Sequence, residues 1–73
     1  MENDYTLEDQ TGNWETKISP KTQYGYFENQ KTGTFGGLWF KGKTLTDYDG
    51  TYELPEQVKI SIRHLGYKIS KEF

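Results

Sequence analysis

The sequence predicts an α+β fold: an antiparallel β-meander of four to five strands with one C-terminal helix packed across a face. Three observations carry this expectation. Period-two alternation of bulky and polar residues begins at Trp14; glycines punctuate the ring-rich run 34–50 at hairpin spacings; and a single segment, 55–66, carries proline at its start and glycine at its end.

The first ten residues either fray or supply a short strand over 5–8, which would pair across the turn Gln10-Thr11-Gly12-Asn13. Trp14, Thr16 and Ile18 then alternate with Glu15 and Lys17 as a half-buried strand. Ser19-Pro20 ends it, because proline brings no ladder donor. Residues 22–28 form the next strand, with Tyr24 and Tyr26 on one face and Gly25 and Phe27 on the other. After the turn-rich 29–33, residues 34–40 read as the central strand, where Leu38 and Phe40 share a face and Trp39 points the opposite way. Gly36 and Gly37 inside this strand imply a bulge, a strong twist, or a neighbouring ring lying over the backbone, with Tyr24 or Tyr26 as the natural ring.

Lys41-Gly42-Lys43 is expected to be a three-residue hairpin loop leading back into 44–48. Asp49-Gly50 signals a turn, and 51–53 a short extension. Pro55 is placed at the first helical position with Glu56 in the first turn. Val58, Ile62 and Leu65 fall on one helical stripe, and Gly66 is the stop. Val58, Ile60 and Ile62 also fit strand spacing with β-branched residues. The signals at both ends favour the helix, and 67–70 completes the sheet as a last short strand.

A chain of 73 residues makes a single domain, 1–73, and a domain of this size buries only about 60% of the surface its unfolded form exposes. The 12 aromatic residues outnumber the leucines, isoleucines and valine, so a core built from rings is expected. Without cysteine the chain has neither a disulfide framework nor a thiolate metal site. The acidic start M-E-N-D-Y-T-L-E-D-Q lacks the basic end and apolar run of a signal peptide, and no stretch is long and apolar enough to span a bilayer. A cytoplasmic protein with no membrane partner is the expectation. Charge runs in blocks of −5 over 1–16, +4 over 17–43, −4 over 44–58 and +3 over 59–73. Pairing between neighbouring strands of opposite sign explains such blocks, and an acidic face for a basic partner is the alternative.

No constellation of residues points to catalysis, and no cofactor or metal is implied. Asp47, Asp49, Gly50 and Glu56 can be laid over a calcium loop, but its first ligand position would then fall on Leu45, which cannot coordinate a cation. The two aspartates instead read as turn formers that hydrogen-bond their own backbone. His64 stands alone beside Arg63 near the helix end, where a cation complements the helix dipole. Gly33, Gly36 and Gly37 are not followed by the strand-to-helix junction of a phosphate loop. A non-enzymatic protein is expected.

Leu38, Trp39 and Phe40 are three consecutive bulky residues, and one helix can cover only one face of a small sheet. Trp39, with Tyr24 or Tyr26, therefore either packs beneath the N-terminal segment or forms an exposed ring patch suited to a protein interface. The expected contact residues are Trp39, Tyr26, Tyr48, Asp47 and Asp49. Two alternatives remain open: a single-stranded nucleic-acid platform using the same rings with Lys41 and Lys43, and a subunit that self-associates through an edge strand. Net acidity and the lack of an arginine cluster count against nucleic acid.

The order Y-G-Y-F, G-G-L-W-F, L-T-D-Y-D-G, L-P-x-x-V and L-G-Y, spread over 24–67, resembles small bacteriophage and prophage-type proteins. The resemblance rests on residues that shape the fold and brings no site residues with it. It implies a context: a protein that binds a host protein in the host cytoplasm as an inhibitor or accessory factor.

Overall fold

The computed structural model describes residues 4–49 and 53–70. The elements are β1 (Tyr5–Glu8), β2 (Trp14–Ser19), β3 (Tyr24–Asn29), β4 (Phe35–Lys41), β5 (Thr44–Tyr48), α1 (Glu56–His64) and β6 (Lys68–Ile69). They form one six-stranded sheet in sequence order with one helix, a mainly-sheet α+β fold. Two features differ from expectation. The sheet has six strands, because the segment at Tyr5–Glu8 and the short β6 both pair, and it is mixed, because β6 lies parallel to β5. Parallel neighbours need a long crossover, and α1 supplies it, so the helix is the connection of a β5–α1–β6 unit as well as a cover for one face.

Turns in β1 to β4 follow side-chain chemistry. Between β1 and β2, an Asp9 carboxylate oxygen accepts from the backbone N–H of Asn13 at 3.1 Å and of Trp14 at 3.2 Å, while the Thr11 hydroxyl donates to the same carboxylate at 2.8 Å. Between β3 and β4, Asn29 Oδ1 accepts from the N–H groups of Lys31 and Thr32, both at 2.9 Å. The β4–β5 loop is shorter than expected. Lys41 pairs with Thr44, which leaves only Gly42-Lys43 in the turn. Gly42 takes a φ of 63° while Lys43 stays at negative φ, the pattern of a type II′ hairpin.

Pro55 stands just before the helix rather than at its first position, and its carbonyl accepts from Val58 at 3.1 Å and Lys59 at 3.0 Å. Gly66, at φ 93°, ends the helix in a Schellman arrangement: its N–H donates to Arg63, and the Tyr67 N–H donates to Ile62. Val58 and Ile62 are fully buried, whereas Ile60 is 49% exposed, which settles the helical stripe against strand spacing. The Asp49-Gly50 turn and the extension at 51–53 lie largely outside the described residues.

The core lies between α1 and the inner sheet face. It comprises Ile18, Phe27, Leu38, Phe40, Leu45, Leu54, Val58, Ile62 and Tyr67. Aliphatic side chains thus outnumber rings there, a reversal of the ring-built core that composition suggested. Tyr24, Phe35 and Trp39 fall on outward positions of their strands and remain exposed. The shortest principal extent, 17 Å, holds one sheet and one helix, with no third layer among the described residues. Among the described residues no helix is long and apolar enough to cross a membrane.

Candidate partner-binding face

The outer face of the sheet, opposite α1, gathers rings from β3 and β4. Tyr24 lies opposite Trp39, Tyr26 opposite Gly37, and Glu28 opposite Phe35. Trp39 and Tyr24 meet edge to face, with ring centroids 5.3 Å apart, a favoured geometry for two aromatic quadrupoles. Gly37 makes room for this pair. A Cβ at that position would sit 3.0 Å from indole Cη2 and 3.1 Å from the Tyr24 hydroxyl oxygen, so the indole bends back over bare backbone instead of standing clear of the sheet. Trp39 is still 41% exposed, and Phe35, four residues before it on the same face, is 74% exposed.

Gly36 serves the opposite face in the same way, with Phe27 as the ring that closes over it. The bulge itself lies elsewhere. Trp39 pairs with Asp47 and Phe40 with Leu45, so Thr46 is the extra residue of β5. Its hydroxyl donates to the Trp39 carbonyl at 3.3 Å. A bulge shifts the alternation by one. Asp47 is thereby brought to the outer face beside Trp39, and Tyr48 turns inward opposite Leu38, where it packs against the core.

Of the five expected contact residues, Trp39, Tyr26 and Asp47 thus share the outer face. Asp49 follows at the end of β5, exposed, with its N–H donated to the Gly37 carbonyl at 2.8 Å. Tyr48 does not join them. Tyr24 and Phe35 are the residues missing from the expected set. Counting in twos along β4 from Trp39 finds Phe35, and counting in twos along β3 from Tyr26 finds Tyr24.

Charge on this face is mixed. Lys17 reaches Asp4 at 3.9 Å, the one ion pair among the described residues. That pair joins two charge blocks of opposite sign, and three glutamates stand in a row across β1, β2 and β3: Glu8 opposite Glu15, and Glu15 opposite Glu28. Lys41 and Lys43 separate. Lys41 is exposed at the end of β4, whereas the Lys43 ammonium sits 4.7 Å from the centre of the Tyr67 ring, away from the ring patch.

The Asp9 carboxyl is shaped by its turn. Partial burial pushes it up, but hydrogen bonds from Thr11, Trp14, Asn13 and Gly12 outweigh that, and its pKa falls below the ordinary carboxylate value. Asp9 is a turn organiser. His64, at the exposed C-terminal end of α1, lies in a groove with Glu8 and Asp9, and among the described residues no three acidic or histidine side chains gather as metal ligands would. Comparison with protein-family models, curated proteins and solved structures finds no match.

Proposed function

We propose that this chain is a non-enzymatic binding protein that holds a protein partner on the outer face of its sheet, in the manner of a phage-type inhibitor or accessory factor acting on a host protein. The observation that carries the reading is the uncovered ring surface of Trp39, Tyr24, Tyr26 and Phe35. Half-exposed tryptophan and tyrosine, backed by rigid strands, supply large contact area at low entropic cost, the character of interface hot spots. Asp47 beside Trp39 adds an acidic contact for a basic side chain of the partner.

The charge distribution supports a protein over single-stranded nucleic acid. The outward strand positions mix Glu15, Glu28 and Asp47 with Lys17 and Lys41, and Lys43 is engaged with Tyr67. A phosphate backbone needs a continuous cationic track. Salt titration checks this point: a protein interface of this kind weakens only modestly with salt, whereas phosphate binding falls steeply.

The decisive comparison is affinity capture from host lysate with the wild type, W39A and R63A. W39A is expected to weaken capture about 30-fold or more while keeping native amide dispersion, because loss of a hot-spot anchor is worth about 2 kcal/mol or more. R63A, an exposed helix position outside the lining of any groove described, should capture normally. Equal capture by W39A and the wild type would remove the outer face as the contact surface.

A further inference from the structure

A second surface lies at the free edge of β1. This strand closes one side of the sheet, and among the described residues it pairs only with β2. Asp9 donates its N–H to the Trp14 carbonyl at 3.0 Å, which sets the alternation of the antiparallel ladder. The hydrogen-bonded positions going back along β1 are therefore Leu7 opposite Thr16 and Tyr5 opposite Ile18. Thr6 and Glu8 turn their N–H and C=O groups the other way, toward the open side. The opposite edge is guarded by comparison: β6 is two residues long and carries exposed Lys68, whereas β1 has four residues with neither lysine nor proline.

Beside this edge, on the inner face, a groove of about 350 Å³ runs between β1 and α1. Leu7 and half-exposed Ile60 supply its apolar surface, with Ser61 and His64 on the helix side. On the outer face, the glutamate row ends at Glu8 on the open edge. Like charges directly opposite one another are unfavourable, and a cation placed across from Glu8 would complete the row with the opposite sign.

We infer that β1 accepts an extended segment of a partner protein as a seventh strand, and that this segment alternates cationic with apolar residues. Its backbone bonds to Thr6 and Glu8. A cationic side chain lies against Glu8 on the outer face, and the next side chain, apolar, enters the groove between Leu7 and Ile60. A second copy of this chain is a poor occupant, because the antiparallel pairings of two β1 edges through Thr6 and Glu8 set Glu8 opposite or diagonal to an acid of the other chain.

The test titrates isotopically labelled full-length protein, at low salt, with a short acetylated and amidated peptide of alternating lysine and valine, followed by amide spectra. Shifts and slowed exchange are expected at Thr6 and Glu8, with shifts at Ile60. A glutamate–valine peptide should leave the spectrum unchanged. Thr6→Pro removes an outward N–H and leaves the β1–β2 ladder whole, so it should fold and bind at least about tenfold more weakly; Glu8→Lys should show a similar loss. If Thr6→Pro loses native amide dispersion, Glu8→Lys decides alone. Several outcomes would overturn the inference: no response to the peptide, unchanged affinity in a folded Thr6→Pro or in Glu8→Lys, shifts centred on Trp39, or sedimentation showing a dimer that already occupies the edge.

Discussion

Thr16 shows what single residues do in this fold. It is 0% exposed on the inner face of β2, and its hydroxyl oxygen has no hydrogen-bond partner. A buried hydroxyl left unpaired costs about 1–3 kcal/mol, whereas an apolar group of the same shape does not. Thr16→Val is therefore expected to stabilise the domain by about 1 kcal/mol, read as a higher urea midpoint at unchanged slope. A lower midpoint would mean that the hydroxyl has a partner worth keeping. Periodicity made several residues legible in advance: strand parity put Leu38 and Phe40 on one face and Trp39 on the other, and helical spacing put Val58 and Ile62 on one stripe of α1. Parity failed at Tyr48, because one extra residue at Thr46 reverses every side chain after it, and that insertion is visible only against the partner strand.

The elements follow their local signals wherever those signals are self-contained. Proline and glycine bracket α1 because each acts on its own backbone, and the II′ turn forms because glycine holds its first central position. The parallel placement of β6 was not legible, since it depends on where α1 returns the chain and not on any residue of β6. The reading of Gly36 and Gly37 was half legible: rings do close over both, but Phe27 covers the first, and Tyr24 with Trp39 the second. At Gly36 the fit is tight. A Cβ there would lie 2.3 Å from the Asp49 carbonyl oxygen and 2.7 Å from Phe27 Cζ. Gly36→Ala is expected to destabilise the domain by about 1–3 kcal/mol through overpacking between β3, β4 and the end of β5. Thermal unfolding checks this, and an unchanged midpoint would contradict the close approach of those strands.

At the scale of the whole molecule, one helix and one sheet give two layers, and that count leaves the outer face open. Composition pointed to abundant rings but not to where they would go. The distinction was set by strand parity and by the aliphatic residues that took the inner positions, which left Tyr24, Phe35 and Trp39 outside. The proposed function rests on that surplus. Fluorescence quenching by acrylamide in a Trp14→Phe variant, whose sole indole is Trp39, tests it most directly. The expected result is red-shifted, readily quenched emission from the free protein that shifts to the blue and becomes shielded when the captured partner is added. Blue-shifted, unquenchable emission from the free monomer, or emission unchanged by the partner, would contradict an open ring face that makes the contact.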